Sequence, residues 1–535
     1  MIAGEERPPL ISIIMPVYNS SPYLEKAVQS AVGQSYRPVE VVLYDDGSTD
    51  EKTRGILMKY KGRPGIKVFF SPVNEGISMA TNRAIAMSTG EYLAFLDCDD
   101  ILKPGALEVV AGYIKKHPDV GYFYSNREHI DERGGVTARY DLSKYSTEKP
   151  YEMIMKYMFP SHLKVIKKSA FRKVGLFKKI YDTCQDYDMA LRLSEWFKFK
   201  FIPEYLYQYR IHSSRVSVRR RREQAQRAYR ARDVAVVRRN IFFNHSIGER
   251  KVSVVMLTRN RLKRTAHSIS RLYENTVLPF EFIIVDNNSG PETRKFLDNL
   301  AREKSNLRVL FQRENTGCAA GRRKAVGMAE GDYIVTLDND CEVTPYWLEN
   351  LITRIVEEPN IGCACAKVVL PDGKIQYNGG SYQISGGFIK LSFIDEKKMH
   401  SDLETFMERD CHWLPGGATI YKRRLFEKAD ICPELRGGFE DADLSLRIHE
   451  TGYRLVNCPT SLVVHHHISH ETDSFKEPGY YRDRYDRGRI LRAVVEFYRR
   501  NRLIVYDPWL YDYLQIPHAT REETVSFFSR SAQTL

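Results

Sequence analysis

Ile11-Ser12-Ile13-Ile14-Met15-Pro16-Val17-Tyr18-Asn19 and Val252-Ser253-Val254-Val255-Met256-Leu257-Thr258-Arg259-Asn260 decide how this chain is read. Each opens on a short β-branched run, and Ser12 stands 241 positions before Ser253. The same offset relates Asp45 to Asp286, Asn74 to Asn315, Gly76 to Gly317 and Gly90 to Gly331. It also carries Asp97 and Asp99 onto Asp338 and Asp340. So many matches at one constant spacing mark a duplicated unit.

Working outward from Ile11, the first copy alternates strands and helices. Residues 11–15, closed by Pro16, read as a buried strand, and 39–44, 66–71 and 92–96 as three more. Ser20 or Ser21 can cap the helix after the first strand, with Pro22 in its first turn. Leu24, Ala27, Val28, Ala31 and Val32 then repeat near the helical period, and a further helix is expected over 77–88. Such alternation predicts a mostly parallel sheet with helices on both faces, which binds ligands at the carboxyl ends of its strands. Those ends carry Pro16 to Asn19, Asp45-Asp46-Gly47-Ser48 and Asp97-Cys98-Asp99-Asp100. Copy two carries Leu257 to Asn260, Asp286-Asn287-Asn288-Ser289 and Asp338-Asn339-Asp340. All should converge on one crevice per copy. Neither a glycine-rich dinucleotide fingerprint nor a P-loop follows a strand.

Two carboxylates spaced D-x-D after a buried strand need neutralising, and a hard divalent cation with diphosphate oxygens would do it. Turn-capping aspartates are the plainer reading of one such motif, but matched copies weaken it. A second acidic cluster opens a helix in each copy: Gln185-Asp186-Tyr187-Asp188, and Glu440-Asp441-Ala442-Asp443. Helix capping would need only one acid, and a helix start keeps a carboxylate ionised, as a general base requires. A histidine follows after one more strand, His212 in copy one and the run His465-His466-His467 in copy two.

This series resembles the inverting GT-A glycosyltransferases of family 2, which build bacterial capsules, O-antigens and related glycans, over nearly all of both copies. The resemblance implies two tandem Rossmann-like domains with hexosyltransferase-type activity on nucleoside-diphosphate sugars. It assigns the nucleotide base to Asp45 and Asp286, with Pro16, Tyr18, Asp46, Asn74, Thr258 and Asn315 lining the donor site. It places Mg²⁺ or Mn²⁺ and the donor diphosphate on Asp97 with Asp99, and on Asp338 with Asp340, helped by His212 and His465. Asp186 and Asp441 become the catalytic bases, and Trp413-Leu414-Pro415-Gly416-Gly417 is similar to the family's acceptor-side loop. Departures such as Asn287 for Asp46 suggest that the two pockets take different donors, making the enzyme bifunctional.

Composition supports a folded multidomain protein: 535 residues, 43% hydrophobic and 28% charged. No apolar run is long enough to span a bilayer, no signal peptide is read at the start, and the scattered cysteines fit reduced thiols, so a cytoplasmic location is expected. The net charge is +13, of which +8 comes from 215–239 with its ten arginines, arguing against a nucleic-acid-coating surface. That segment reads as a solvated helix between domains. The expected division is domain one at 8–215, a basic linker at 216–249, domain two at 250–475 and a helical extension at 476–535. Residues 479–503 set Tyr480, Tyr481, Tyr485 and Tyr498 among eight arginines, around apolar Ile490, Leu491, Val494 and Val495. This helix either lids copy two or lies on an anionic membrane, where a lipid-linked saccharide acceptor would be found. Rival readings are a nucleotidyltransferase, which lacks its Gly- and Lys-rich loop here, an arginine-driven nucleic-acid or membrane binder, and a pair in which one copy is only a scaffold.

Overall fold

The computed structural model describes residues 7–147, 150–213, 220–466 and 485–534. His467, Tyr480 and Tyr481 lie outside them. The chain divides into two compact units, Met1–Val236 with Asp402–Met407, and Val237–Ser401 with Glu408–Leu535.

Unit one is built on β1 (Ile11–Val17), β2 (Val39–Asp45), β3 (Ile66–Phe70), β4 (Tyr92–Phe95), β5 (Ile101–Leu102), β6 (Val120–Ile130), β7 (Val136–Tyr140), β8 (Val165–Lys167) and β9 (Lys198–Arg210). They form one sheet in the order β3-β2-β1-β4-β8-β6-β9-β5, with β7 on β6. The half β3-β2-β1-β4 is parallel, whereas β8 runs antiparallel to both its neighbours. Unit two contributes β10 (Val252–Thr258), β11 (Glu281–Asp286), β12 (Leu307–Phe311), β13 (Tyr333–Asp338), β14 (Cys341–Val343), β15 (Ile361–Val369), β16 (Ile375–Tyr377), β17 (Gly380–Ser385), β18 (Phe388–Phe393), β19 (Asp410–Cys411), β20 (Ala418–Lys422), β21 (Arg454–His465) and β22 (Ile504–Val505). Its main sheet, β12-β11-β10-β13-β20-β15-β21-β14, repeats the order of unit one strand for strand. Copy two adds a small sheet, β17-β18-β22.

The central strands are apolar on both faces because helices cover both. β1 is buried at every residue, its side chains feeding two separate hydrophobic clusters. The helix Ser21–Val32 turns Leu24, Ala27, Val28 and Ala31 inward as its periodicity predicts. Two local expectations need correcting. Pro16 does not close β1, which runs on through Val17 with Pro16 in register with Tyr44. Ser20 occupies the N-cap but its hydroxyl donates to the Tyr18 carbonyl and makes no cap bond.

One structural device recurs in both copies and explains part of the 241-residue match. Ser12 Oγ donates to Glu40, and the Gly90 N–H donates to Ser12 Oγ at 2.8 Å. In copy two Ser253 bonds Glu281, and the Gly331 N–H reaches Ser253 Oγ at 2.8 Å. A Cβ at Gly90 would sit 2.7 Å from the Ser12 nitrogen, and one at Gly331 2.6 Å from that of Ser253. Gly90→Ala and Gly331→Ala are therefore each expected to cost about 1–3 kcal/mol by overpacking. Denaturant melts would show this as a lowered midpoint at unchanged m-value, and an unaltered midpoint would contradict the packing account.

The arginine-rich segment is helical and packed along one side. The helix Arg221–Phe243 crosses the division between the units, and Ala231, Val234 and Ala235 are buried. Gln224 donates to the Thr183 carbonyl at 2.7 Å, and Arg227 donates to that of Asp182. The C-terminal helix Arg487–Asn501 turns Ile490, Val494 and Val495 into a cluster with Leu510, Leu514 and Phe528. The apolar stripe that could have entered a bilayer is thus covered by protein.

Candidate functional site: two acidic crevices

In unit one the carboxyl ends of β1 and β4 and the start of the helix Gln185–Ser194 surround a cavity of about 1200 Å³. Pro16, Tyr18, Asp46 and Asn74 line it, as do Asp97, Asp99, Asp186 and His212. Residues far apart in sequence meet here because parallel strands deliver all their carboxyl ends to one edge. His212 Nε2 lies 2.9 Å from Asp99 Oδ2, and His162 Nε2 lies 3.8 Å from Asp97. Burial opposes the charge of Asp97, yet His162 and Lys164 hold its carboxyl below the usual range. Burial and the neighbouring Asp97 push Asp99 up, against the pull of His212. Asp100 is engaged within the fold, accepting from the Tyr207 hydroxyl at 2.8 Å and from the Arg210 N–H at 2.7 Å.

The two early aspartates divide differently from expectation. Asp45 is fully buried, accepts from the Ser48 N–H at 3.3 Å, and is not among the cavity-lining residues. Asp46 lines the cavity, but both its oxygens accept backbone N–H groups, from Glu75 at 2.8 Å and Gly76 at 2.9 Å. Asn287 closes the equivalent loop, accepting from the Thr316 N–H at 2.9 Å and donating to Asn315 and to the Gly317 carbonyl. The exchange of Asp46 for Asn287 is thus accounted for by loop closure and says nothing by itself about donor choice. Thr258 is likewise occupied, its hydroxyl 2.9 Å from that of Thr265 and 3.2 Å from Asn339. Asp286 is buried like Asp45 and pairs with Arg294 at 3.0 Å.

In unit two the same acids converge, but arginines stand among them. Arg322 reaches Asp338 at 3.0 Å, Asp441 at 2.7 Å and Glu440 at 3.4 Å. Arg261 reaches Asp340 at 3.0 Å, and His465 Nε2 lies 3.1 Å from the other oxygen of that carboxylate. Burial opposes the Asp340 charge, but His465 and Arg261 hold it well below the usual range. Burial pushes the Asp441 carboxyl up while Arg322 works against it, and burial beside Asp441 lifts Glu440 to about 7. The Gly416 N–H donates to Asp441 Oδ2 at 2.8 Å, so the Trp413 to Gly417 loop touches the helix-heading acid directly.

Neither acidic helix start is a capping arrangement: the N-cap positions are Cys184 and Phe439, without side-chain cap bonds. The surplus acids are structural. Asp188 pairs with Arg192 at 2.6 Å, and Asp443 with Arg500 at 3.0 Å, each aspartate buried. Asp186 is left facing the cavity, held at 2.8 Å by buried Lys164. Lys164, His162, Arg322 and Arg261 were not read from the sequence, because a lone basic residue carries no pattern. Strand register aligns Lys164 with Thr419 at an offset of 255, which also carries Asp186 onto Asp441. The 241 offset aligns Arg322 with Thr81. Each copy therefore sets one cation against its helix-heading acid, but from a different element. Strand register also places His465 level with Tyr209, so the two histidines approach their D-x-D acids from different positions.

Among the described residues, the side chains close enough to share one ion at these acids are Asp97, Asp100 and His162 in unit one and Asp340, Cys341 and His465 in unit two, sets that coincide only in part with those read from the sequence. In unit one three adjacent carboxylates crowd together, and their mutual repulsion is relieved by a positive ion. In unit two the Gln376 amide oxygen accepts from His465 Nδ1 at 2.7 Å, which turns Nε2 toward the Asp340 oxygen 3.1 Å away. The basic helix supplies a further wall to the unit-one cavity through Arg221 and Arg232, with Arg220 just before it.

A parallel half-sheet ending in paired D-x-D, histidine and helix-heading acid defines two tandem GT-A domains. Matches to Glycosyl transferase family 2 cover residues 12–175 and 253–429, once in each copy, and the chain belongs to that family of transferases. Similar proteins include the uncharacterized protein y4gI of Sinorhizobium fredii, 29% identical over 86% of this chain and 53% of its own length. The O-antigen biosynthesis protein RfbC of Myxococcus xanthus is 26% identical over 90% of this chain and 39% of its own. Chondroitin synthase of Escherichia coli is 33% identical over 40% of this chain and 31% of its own. The chain spans about half or less of the length of these relatives.

Proposed function

We propose that both copies transfer sugars from nucleoside-diphosphate sugars to a glycan or lipid-linked saccharide, each with inversion, as a bifunctional enzyme of polysaccharide biosynthesis. One observation carries this reading: in each unit a D-x-D pair, a histidine and a helix-heading aspartate converge at the sheet edge. The names of two relatives, an O-antigen biosynthesis protein and a chondroitin synthase, point the same way.

Asp97, Asp99 and His212, and in copy two Asp338, Asp340 and His465, would hold Mn²⁺ or Mg²⁺. That ion, when bound, offsets charge developing on the leaving diphosphate. Pro16, Tyr18 and Asn74 line the donor side, with Asp45 and Asp286 buried beneath the neighbouring loops. Asp186, oriented by Lys164, takes the proton of an acceptor hydroxyl as that oxygen bonds to the anomeric carbon. The bond from that carbon to the phosphate oxygen breaks in the same displacement, so no enzyme nucleophile is needed. Asp441 does the same in copy two, oriented by the Gly416 N–H. Arg221 and Arg232 suit a polyanionic partner such as a diphosphate. Peripheral contact with an anionic membrane, at the inner face of the cell, would rest on arginines, since the apolar stripe near Val494 is buried. No described helix is long and apolar enough to cross a membrane. A scaffold role for copy two has one observation in its favour, the Arg322 bridge across Asp338 and Asp441.

The test is a panel of UDP-, GDP-, dTDP- and CMP-sugars with Mn²⁺ or Mg²⁺. At least one donor should be hydrolysed slowly and should raise the melting temperature, both only with metal. Absence of either effect across the panel would remove the transferase reading.

A further inference from the structure

Unit two carries another group of ligating side chains that shares no residue with the D-x-D pair. His267 lies on the helix Leu262–Asn275, Glu342 on β14, and His466 directly after β21. Both imidazoles address one oxygen: His267 Nε2 is 3.1 Å and His466 Nε2 3.0 Å from Glu342 Oε2. All three ligand atoms lie within 4.8 Å of one another. The other carboxylate oxygen, Oε1, accepts from Arg271 Nε at 3.0 Å. That bond turns Glu342 so that a single oxygen faces the two rings, as an outer partner orients a metal ligand.

We propose that His267, Glu342 and His466 form a binding site for Zn²⁺ or a similar borderline transition-metal ion, with water as the fourth ligand. Two imidazoles and one monodentate carboxylate are a zinc-type donor set, whereas sites for Mg²⁺ and Ca²⁺ are made mainly of oxygen ligands. Tetrahedral bonds of about 2.0–2.1 Å separate ligand atoms by about 3.3 Å. The separations to Oε2 of 3.0 and 3.1 Å need open by only tenths of an ångström to admit the ion.

The duplication provides an internal comparison. The 241 offset puts Lys26 and Ile101 where copy two has His267 and Glu342. Strand register puts Arg210 where copy two has His466. Positions on three separate elements therefore differ together, and all three in copy two are ligand types. An ordinary surface ion pair would require only two. The His466 N–H also donates to the Asp340 carbonyl at 3.0 Å. A bound ion thus ties the strand end bearing His465 to the first helix of the domain.

The experiment uses the full chain stripped of metal and titrated with ZnCl₂, read by calorimetry and by metal content after desalting. His267→Ala, whose parent side chain is half exposed and so dispensable for folding, is compared with wild type and with Asp340→Asn. Wild type and Asp340→Asn should retain one zinc equivalent that His267→Ala binds at least about 10²-fold more weakly. Zinc should raise the melting temperature of the first two proteins only. Equal zinc binding by His267→Ala and wild type would overturn the site. So would loss of that equivalent in Asp340→Asn with retention in His267→Ala, which would place the ion at the D-x-D acids. Neither readout needs a sugar donor, so failure here and failure of the transferase reading are separable.

Discussion

Asp186→Asn and Asp441→Asn are each expected to abolish one transfer and leave the other intact. Asparagine keeps the shape and one acceptor oxygen, so Lys164 can still bond position 186, whereas at position 441 only one of Arg322 and Gly416, which donate to different oxygens, keeps its bond. What is lost is the capacity to take a proton, which is worth about 10²–10⁴-fold in turnover. The assay uses defined acceptors and each donor that the panel identifies, with melting temperature as a control for folding. Mixing the two variants should restore alternate extension, because each supplies the step the other lacks. If one variant abolishes every transfer and the other changes nothing, only one copy is catalytic.

The second large effect concerns the D-x-D acids. Asp99→Asn and Asp340→Asn should each lower metal-dependent turnover of their own domain by at least about 10²-fold, since the proposed cation loses a charged ligand. Their stabilities should respond differently. Asp99 sits beside Asp97 and Asp100, so removing its charge relieves repulsion and should leave the melting temperature equal or higher. Asp340 pairs with Arg261, and the two side chains are 10% and 4% exposed. Unpairing a buried charge costs up to about 3–5 kcal/mol, so Asp340→Asn should melt measurably lower. Full turnover of the wild-type enzyme in EDTA would exclude the metal assignment for both domains. Equal stability changes in the two variants would contradict the charge balance described for unit two.

The duplication and the alternating elements of each copy were legible in the sequence, and so was the convergence of the acids. Constant spacing is a one-dimensional property, and β-branched runs followed by amphipathic helices have few ways to bury their apolar faces. Parallel strands bring their carboxyl ends to one edge, so Asp97 and Asp99 could be placed beside Pro16 to Asn19 from order alone, whereas Asp186 and His212 were assigned through the family resemblance. Tertiary structure decided which acids face the crevice and which are occupied. Asp46, Asn287 and Thr258 carry donor-site types at donor-site positions, yet their polar atoms close loops, since a buried polar group must be bonded to whatever lies nearest. Asp188 and Asp443 are taken up by Arg192 and Arg500 for the same reason. The reciprocal placing of Lys164 against Asp186 and Arg322 against Asp441 was likewise beyond the sequence. Charge compensation depends on distance through space, and residues on different elements can supply it to the same carboxylate without leaving any shared spacing.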